Sequence, residues 1–418
     1  MKNILMIVVD DLRPELNCFG KQKLKTPNID RLAAGSTRYE RAYCNFPQCM
    51  PSRTSLMVGK RPKRFCNWSN LLAEPGEPTL PATMRANGIR TVSVGKVYHE
   101  PLDDAFHWDE LHLHTTRHLP EGGIDQDFQD YQLPKNLARR EVKFGLKLRD
   151  FQKHASQLPP LFECADAPDE GYVDHRVATR VIERLRAHAD SEQALFLSVG
   201  FYRPHLPWTA PKWCWDLYDR DSIDLADNPF FPANAVGKGD LCDLKHYCDA
   251  EVNTKFSDVG RYRDDDFPVL SEEKQRELIH AYWAAVSFMD AQVGRVLDEL
   301  ERLGMADETA VIFWGDNGYH LGEHKLWSKV TSFDESTRIP LMVRVPGCTN
   351  GTTSRNLVEL VDVYPTVCDL LHVPLPPHLH GKPLPLDPTD RGKDAVYSVN
   401  WTGPTIITNR YRLTYYPQ

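Results

Sequence analysis

The sequence predicts an α/β fold with one large central sheet, mostly parallel or mixed, that carries helices on both faces. Three observations predict it. Short apolar runs typical of buried strands alternate with helical segments along the chain. The length of 418 residues suits one large domain with a smaller appendage. Residues 395–416 instead contain short strand-like runs broken by turn residues, which predicts a small antiparallel sheet at the end of the chain.

The amino-terminal part supplies the first elements of this alternation. The apolar run Asn3–Val9 predicts a buried strand. A helix is expected to begin at Thr26-Pro27, because threonine is a good N-cap and proline is tolerated in the first helical turn. A second helix is expected at Leu80–Ala86 and ends at Asn87-Gly88, and a strand over residues 91–94 follows it directly.

The carboxyl-terminal part continues the alternation. Strands are expected over residues 194–199, 309–314 and 341–345, and helices over residues 271–303 and 361–371. In the longest helix, apolar side chains recur every three or four residues, from Leu278 through Met289 to Leu300, and form one face. Alternating elements of this kind favour parallel strands connected by helices on both faces of the sheet.

Two regions depart from the alternation. Residues 100–170 and 214–268 are polar, poorly periodic and rich in Asp, His and Pro, which predicts two long insertions over the functional edge of the sheet. We therefore expect an α/β domain over residues 1–375 and a small, short C-terminal subdomain over residues 376–418. Three histidines of the first insertion are predicted to lie in a solvated loop, because no carboxylate or cysteine completes a metal set: His112, His114 and His118.

Composition and charge exclude several classes of protein. The formal net charge is −8, which argues against a general nucleic-acid binder, since such proteins carry a basic face. No apolar run approaches the roughly 20 residues that a membrane-spanning helix needs, so no membrane partner is expected. The amino terminus lacks a small-residue cleavage site. The chain is therefore expected in the cytoplasm by default, and in the periplasm, the lysosome or the medium if a leader has been removed.

Acidic residues follow two of the predicted strands. Asp10 and Asp11 come directly after the first strand, and Asp316 and Asn317 follow the strand at residues 309–314. Doubly wound sheets bind ligands beyond the carboxyl ends of their strands, so these side chains are expected to converge. Three carboxylates and one amide oxygen would form a site for Ca²⁺ or Mg²⁺. Taken singly, either pair is equally well explained as a turn or a helix cap.

Basic residues are expected at the same edge of the sheet. Four of them follow predicted strands or the second acidic pair: Lys96, His99, His205 and Lys329. Lysine and arginine beside a divalent cation suit a tetrahedral oxyanion such as sulfate or phosphate. Each of these residues on its own is better explained as a surface residue or a hydrogen-bonded structural residue.

Cys49 stands at the predicted start of another helix. Pro51 suits the first turn, Ser52 is expected to satisfy a free amide, and Gly59 stands where the helix should end. Backbone N–H groups and the helix dipole favour negative charge at such a position, with Arg53 one turn away. An ordinary cysteine there would have a lowered pKa and act as a thiolate nucleophile. A structural thiol is the alternative, and these residues alone leave both open.

The run Cys49-Met50-Pro51-Ser52-Arg53 resembles the C-x-P-S-R signature of the type I sulfatases, which belong to the alkaline phosphatase superfamily. Further segments occur in the order of that family: Asp10-Asp11, residues 26–32, Gly95-Lys96, Pro204-His205, Asp316-Asn317-Gly318, Lys329 and residues 358–365. The segments DDLRPELNCFG, KVYH, GFYRPHLPW and GYHLGEHKLWSK are most similar to the iduronate-2-sulfatase group. Two features differ from that group, because Asn317 stands where it usually has histidine and the C-terminal subdomain is short.

The resemblance implies an alkaline-phosphatase-like fold and a formylglycine-dependent sulfatase. In this family the cysteine is oxidised after synthesis to formylglycine, so a formylglycine-generating or sulfatase-maturating enzyme is an expected partner. The implied ion is Ca²⁺, with Mg²⁺ as the alternative. Its implied ligands are Asp10, Asp11, Asp316, Asn317 and an oxygen of modified Cys49. One hydroxyl of the hydrated aldehyde would attack sulfur, and the second would drive the release of sulfate.

The same resemblance implies roles for the basic residues. Arg53 and Lys96 would hold the oxygens of residue 49 and the charge of the sulfate, and His99 would orient or deprotonate the hydrated aldehyde. His205 and Lys329 would neutralise charge on the sulfate and the leaving oxygen, with His205 as the first choice for general acid. Four further residues are candidates to face the sugar, with loop packing as the alternative for the first three: Tyr319, His320, His324 and, toward a uronate carboxylate, Arg203.

The expected substrate is a sulfated saccharide. The resemblance points most specifically to a uronate 2-O-sulfate of a glycosaminoglycan or a related sulfated polysaccharide. Two alternatives stay open at this point. One is a phosphonate monoester or phosphodiester hydrolase of the same superfamily. The other is a non-catalytic protein that binds sulfated glycans and carries an unmodified Cys49.

Overall fold

A computed structural model describes residues 1–63, 76–99, 104–112, 116–118, 124–126, 130–144, 152–231, 249, 251–252, 269–348, 351–387, 390–401 and 403–416. Much of the predicted insertion at residues 214–268, and His114 in the other one, lie outside these residues. None of the helices in the described ranges combines the length and the apolar character that crossing a membrane requires.

The strands and helices alternate along much of the chain. The strands are β1 (Asn3–Val9), β2 (Thr37–Tyr43), β3 (Arg90–Gly95), β4 (Glu110–His112), β5 (Thr116–His118), β6 (Ile124–Gln126), β7 (Phe162–Ala165), β8 (Leu195–Phe201), β9 (Trp208–Pro211), β10 (Thr309–Gly315), β11 (His320–Leu321), β12 (Trp327–Ser328), β13 (Leu341–Arg344), β14 (Thr353–Glu359), β15 (Ala395–Val399), β16 (Pro404–Thr408) and β17 (Arg412–Thr414). The α-helices are α1 (Pro27–Ala34), α2 (Cys49–Val58), α3 (Leu80–Ala86), α4 (Pro134–Phe144), α5 (Val173–His188), α6 (Lys212–Trp215), α7 (Glu272–Arg302), α8 (Asp334–Thr337) and α9 (Val363–Leu370). Short 3-10 helices occur at Asn17–Phe19, Gln152–Gln157, Asp169–Gly171, Arg220–Ser222, Glu323–Lys325 and Leu360–Asp362.

The central sheet contains eight strands in the order β14-β2-β13-β10-β1-β8-β3-β4. β1 lies in the interior of the sheet and pairs in parallel with β10 and with β8. β13 runs antiparallel to both of its neighbours, β10 and β2, whereas the other described pairs of this sheet are parallel. The predicted mostly parallel or mixed sheet is therefore confirmed.

Two buried clusters cover the two faces of the central sheet. One cluster joins Leu5, Ile7 and Val9 of β1 to apolar residues of α1, α5 and α7. The other joins Ile4 and Met6 of the same strand to α2, α3 and α9. Successive side chains of a strand point to opposite faces, so one apolar strand contributes to both clusters. Helices on both faces are thus confirmed.

Three strands of this sheet carry no apolar run that a sequence pattern would reveal. β2 (TRYERAY) and β14 (TSRNLVE) interleave polar and apolar residues, and β4 is three residues long and half-buried. All three lie toward the edges of the sheet, where fewer neighbours cover a strand. β4 also places part of the polar region at residues 100–170 in the sheet itself.

Side-chain caps set the start of two predicted helices. Thr79 Oγ1 accepts a hydrogen bond from Ala82 N at 3.4 Å before α3, and Ser271 Oγ accepts one from Lys274 N at 3.2 Å before α7. Each cap satisfies an amide that has no partner within its helix. α9 begins two residues later than predicted, because residues 360–362 form a 3-10 turn first.

The last three strands form a separate antiparallel sheet in the order β15-β16-β17, as predicted. Val396 and Ile407 pack against Tyr43 and Leu357 of the central sheet. Arg412 Nη1 donates to the hydroxyl of Thr337 at 3.1 Å and also to the carbonyl oxygen of residue 332. The small sheet therefore supports the loop that leads from β12 to α8. The domain boundary at residue 375 stays a prediction.

Two of the three histidines predicted to lie in a solvated loop occupy strands. His112 lies at the end of β4, and its Nε2 is 3.0 Å from Glu110 Oε2. His118 lies in β5. The prediction of a solvated loop without a carboxylate partner is wrong for His112, because edge pairing with β3 orders this segment.

Candidate active site

The two acidic pairs meet at one edge of the sheet. β1 and β10 are adjacent and parallel with Val9 opposite Gly315, so Asp10 and Asp316 leave the two strands side by side. Asp11 N donates to Asp316 Oδ1 at 3.0 Å. The side chains of both pairs are almost completely buried. The predicted convergence is confirmed, because neighbouring parallel strands end at the same edge.

α2 begins at this edge with Cys49 as its first residue. Its end at Gly59 is confirmed, since this glycine has φ +69° and a Cβ there would lie 2.2 Å from Leu379 Cδ2. Ser52 does not satisfy an amide as predicted. Its Oγ instead donates to Asp316 O at 2.5 Å, which ties the first turn of α2 to the end of β10.

Buried oxygen atoms around Cys49 suit a divalent cation. Ligand atoms of Asp10, Cys49 and Asp316 all lie within 4.8 Å of one another. Asp10 Oδ1 and Asn317 Oδ1 are buried and have no hydrogen-bond partner among the described residues. Asn317 Nδ2 donates to Asp11 Oδ1 at 2.8 Å, so its amide oxygen is left for a cation. Carboxylate and amide oxygens are the ligands of Ca²⁺ and Mg²⁺, and the residues therefore fit such an ion.

The carboxyl groups also have perturbed pKa values. Burial raises the pKa of Asp316 to about 7 and that of Asp11 to about 6, against the lowering effect of nearby cations. Burial would raise the pKa of Asp10 as well, but Lys96 and His205 hold it well below its usual range. A bound divalent cation would reduce the repulsion between these neighbouring carboxylates.

Three basic side chains surround the acidic residues. Arg53 is fully buried, with Nε donating to Asp316 Oδ2 at 2.7 Å and Nη2 3.5 Å from Asp10 Oδ1. Lys96 Nζ donates to Asp10 Oδ2. Lys329 Nζ donates to Asp11 Oδ1 at 2.5 Å and lies 3.9 Å from Cys49 Sγ. Positive charge is therefore concentrated around residue 49, as an oxyanion would require.

The two predicted catalytic histidines also lie at this site. Burial and the neighbouring Lys96 lower the pKa of His99 to about 2, so its ring is neutral. His205 Nε2 lies 4.0 Å from Asp11 Oδ2, and its Nδ1 is 2.6 Å from Leu206 O. The structure thus brings together all six residues predicted to be catalytic, while their individual roles stay predictions.

The thiol of Cys49 is not activated in the way predicted from its helix position. Burial raises its pKa above the ordinary value, and the opposing effects of Lys329 and Lys96 do not compensate. The prediction of a lowered pKa is therefore wrong, because Cys49 is buried next to carboxylates. A thiol with a raised pKa is a poor nucleophile.

Two of the residues expected to face the sugar are buried in packing contacts. Tyr319 has no exposed surface, and its ring packs 5.8 Å from that of Tyr282 and 6.0 Å from that of Trp208. His320 is also fully buried, with Nε2 2.8 Å from Thr331 Oγ1, and burial lowers its pKa to about 3. This burial contradicts the expected contact with a sugar and supports loop packing.

The other two expected sugar contacts differ from each other. Arg203 is 1% exposed and donates to Thr209 Oγ1 and His205 O, so it does not present its charge to a uronate carboxylate. His324 keeps 14% of its side chain exposed and stacks on Phe333 with ring centroids 4.2 Å apart. Of the four candidates, His324 alone keeps more than traces of accessible surface.

A buried ion pair that the sequence did not single out connects two segments of the site. Arg13 follows the first acidic pair, and Glu323 lies between Asn317 and Lys329. Nη1 and Nη2 of the arginine donate to the two carboxylate oxygens at 3.1 and 2.8 Å. Glu323 Oε2 also accepts a hydrogen bond from Leu321 N at 2.8 Å. This pair therefore holds the loop that carries the lysine beside the strand end that carries the carboxylates.

The Arg13–Glu323 pair predicts a pH-dependent contribution to stability. Burial alone would raise the pKa of Glu323, but Arg13 lowers it from 4.5 to about 2. A carboxyl with a lowered folded-state pKa stabilises the protein fully above its unfolded pKa, and this contribution is lost as pH falls from about 5 to about 2. Its size is about 3 kcal/mol at neutral pH.

We therefore expect Glu323→Gln to destabilise the protein at pH 7 by an amount that shrinks below about pH 5. Denaturant unfolding at several pH values between 4 and 8 measures it. Glu40→Gln is the control with a small and nearly pH-independent effect, because the side chains of its pair with Arg355 are 43% and 86% exposed. A Glu323→Gln penalty of equal size at pH 4 and pH 7 would contradict this account of the pair.

Comparison with known proteins agrees with this geometry. Residues 2–373 match the family model described as Sulfatase. Mouse iduronate 2-sulfatase is 32% identical over 406 residues, which cover 90% of this chain and 69% of that protein. Human iduronate 2-sulfatase is 30% identical, with 90% and 70% covered. The choline-sulfatase of Rhizobium meliloti strain 1021 is 30% identical over 383 residues, which cover 89% of this chain and 68% of that protein.

Solved structures share the fold at lower identity. The phosphonate monoester hydrolase of Agrobacterium radiobacter has a TM-score of 0.71 and 20% identity, with 100% of this chain and 87% of that chain covered. A structure in complex with its substrate D-glucosamine-2-N,6-O-disulfate has a TM-score of 0.69 and 19% identity, with 99% and 88% covered. The family match, the relatives and the buried site agree, and the chain belongs to the sulfatase family and is a sulfuric ester hydrolase.

Proposed function

We propose that this sulfatase hydrolyses a uronate 2-O-sulfate within a glycosaminoglycan or a related sulfated saccharide. The observation that carries the reaction is the buried cluster of Asp10, Cys49 and Asp316 with Lys329 beside it. The names of the two iduronate 2-sulfatases support the uronate substrate, at 32% and 30% identity.

The working form of residue 49 is proposed to be formylglycine, made from Cys49 by a formylglycine-generating or sulfatase-maturating enzyme. The raised pKa of the buried thiol supports this, because the unmodified side chain is poorly suited to attack sulfur. The hydrated aldehyde supplies two hydroxyls, one to attack the sulfur and one to drive sulfate release.

The proposed ion is Ca²⁺, with Mg²⁺ as the alternative. Asp10, Asp316, Asn317 and the modified residue 49 would hold it, with Asp11 as the fifth predicted ligand. When bound, the ion supplies positive charge that stabilises the anionic oxygens around it. The two Asp11 carboxylate oxygens differ in surroundings, since Lys329 and Asn317 donate to Oδ1.

The basic residues of the chain bind the sulfate and move a proton. Lys96 donates to Asp10 and Lys329 donates to Asp11, and both lysines are proposed to neutralise the sulfate oxygens. His205 Nδ1 faces the carbonyl oxygen of Leu206, which can only accept a hydrogen bond, so Nδ1 keeps its hydrogen. The other ring nitrogen, Nε2, is therefore the atom proposed to protonate the leaving oxygen.

A substrate panel tests this proposal. The purified enzyme is assayed on a uronate 2-sulfate disaccharide, glucosamine 6-sulfate, an aryl sulfate, a phosphonate monoester and a phosphate diester. We expect kcat/KM on the uronate 2-sulfate to exceed that on the 6-sulfate by at least about 100-fold, because a site built for one polar substrate group rejects analogues that lack it. Removal of metal by EDTA should abolish turnover, and Ca²⁺ should restore it better than Mg²⁺.

Phosphonate monoester hydrolysis is the second candidate function. A phosphonate monoester anion has the tetrahedral shape and single negative charge of a sulfate ester, so Lys96, Lys329 and Arg53 suit both. The fold shared with phosphonate monoester hydrolases is compatible with either activity. A kcat/KM that is highest on the phosphonate monoester would reverse the choice of substrate.

A further inference from the structure

The loop between β8 and β9, residues 202–207, is anchored by a buried carboxylate of α5. Asp174 has no exposed surface, and its two oxygens accept hydrogen bonds from Tyr202 N at 2.8 Å and Arg203 N at 2.9 Å. Trp208, the first residue of β9, donates from Nε1 to the carbonyl of residue 204 in this loop at 2.8 Å. The backbone on both sides of residue 205 is therefore held by buried side chains of α5 and β9.

Arg203 extends this anchoring to His205 itself. Its guanidinium donates from Nε to Thr209 Oγ1 at 3.1 Å, from Nη1 to His205 O at 2.8 Å and from Nη2 to Asp130 Oδ2 at 3.3 Å. Asp130 is 4% exposed and also accepts a hydrogen bond from Val173 N at 2.9 Å. A planar guanidinium with three partners in fixed directions holds its neighbours more rigidly than a single ammonium would.

The imidazole of His205 is oriented by the peptide groups next to it. Its Nδ1 lies 2.6 Å from Leu206 O, one peptide beyond the carbonyl that Arg203 holds. Its Nε2 lies 4.0 Å from Asp11 Oδ2, and 19% of the side chain is exposed at the site. A shift of the His205 carbonyl would therefore turn Nε2 away from the position of a substrate.

We propose that Arg203 is a positioning residue for general-acid catalysis by His205, which rests on the role proposed above for that histidine. Arg203 holds the His205 backbone so that Nε2 meets the ester oxygen of the substrate. As the S–O bond breaks, its electron pair stays on that oxygen, which takes the proton from Nε2 and leaves the imidazole neutral. A displacement of about 1 Å at such a group lowers a rate by about 100-fold.

The test compares substrates with poor and good leaving groups. A sugar sulfate needs its leaving oxygen protonated, whereas 4-nitrophenyl sulfate does not. We expect two variants to lower kcat on the sugar sulfate by about 100-fold. One is His205→Ala. The other is Arg203→Met combined with Asp130→Asn, where the second change avoids an unpaired buried charge. Turnover of 4-nitrophenyl sulfate should fall much less in both variants, so the ratio of kcat on the sugar sulfate to kcat on 4-nitrophenyl sulfate should drop by at least about 10-fold.

Two further variants isolate the contact with His205. Thr209→Val removes one partner of Arg203 and leaves the bond to the His205 carbonyl, so its ratio of the two kcat values should stay close to that of the parent. Adding Arg203→Met and Asp130→Asn to His205→Ala should lower sugar-sulfate turnover by less than about threefold more, since residues that act as a unit are not additive.

Each outcome decides between named alternatives. If the Arg203 variant lowers kcat on both substrates equally, or changes only KM, the positioning role is wrong. If His205→Ala itself leaves the ratio of the two kcat values unchanged, the general-acid role is wrong and this inference falls with it. If His205→Ala changes the ratio of the two kcat values and the Arg203 variants leave it unchanged, the general-acid role stands and the positioning role is wrong. Should Arg203→Met not fold, Arg203→Lys is used, and an unchanged ratio there would overturn the inference.

Discussion

Replacement of Cys49 by alanine or serine is expected to lower turnover of a sulfate ester by at least about 10³-fold, the loss typical of removing a catalytic nucleophile. Alanine removes the precursor of the aldehyde. Serine provides one hydroxyl but not the second one that drives sulfate release from the hydrated aldehyde. Activity is measured on the sugar sulfate that the parent enzyme turns over fastest.

A mass measurement and a stability control accompany this prediction. The peptide of the active parent that contains residue 49 should be lighter by about 18 Da than its cysteine form, because CH₂SH becomes CHO. Cys49 is 5% exposed and sits in the first turn of α2, so the alanine variant should still fold, with its thermal unfolding near that of the parent. A serine variant with full turnover, or an active parent with an unmodified thiol, would show that the proposed mechanism is wrong.

Replacement of Arg53 by methionine is expected to cost about 3–5 kcal/mol of stability, as is usual when one partner of a buried ion pair is removed. Asp316 loses a hydrogen bond of 2.7 Å, and Asp10 loses a charge 3.5 Å away, while both carboxylates stay buried. Denaturant unfolding measures the change. Arg53→Lys should cost less, because it keeps the charge and loses only the planar fork.

Arg31→Met provides the matched control for this prediction. Its ion pair with Asp298 is 2.5 Å long, but the two side chains are 46% and 62% exposed. Exposed pairs contribute about 0–1 kcal/mol, so this control should barely change stability. An equal loss of stability in the Arg31 and Arg53 variants would show that burial is not what makes the Arg53 contacts important.

The parts of the fold that follow from sequence pattern are the central ones. β1, β8 and β10 are nearly continuous apolar runs, because a strand covered on both faces has no polar side. β2, β14 and β4 lie toward the edges of the sheet and carry polar residues, so no regular pattern of apolar residues in the sequence predicts these strands. Their pairing depends on neighbours that are distant along the chain, and this includes the antiparallel β13 between β10 and β2.

For the candidate site too, some features could be predicted from the sequence and others could not. The chemical identity of its residues and their order after the strands could be predicted, since the carboxyl ends of parallel strands share one edge of the sheet. Tyr319 and His320 were misjudged because the same loop exposes some side chains and buries others. Their neighbours Trp208, Tyr282 and Thr331 come from other parts of the chain.

The sequence by itself determined the sulfatase chemistry of this protein, since the C-x-P-S-R run and the acidic and basic residues at strand ends are local features. Only the tertiary structure decided which groups are buried and what each one contacts. It showed that Cys49 has a raised pKa rather than a lowered one, and that Arg203 contacts the His205 carbonyl rather than presenting its charge to a substrate. The physical reason is that burial and pKa depend on residues far apart along the chain, which only packing brings together.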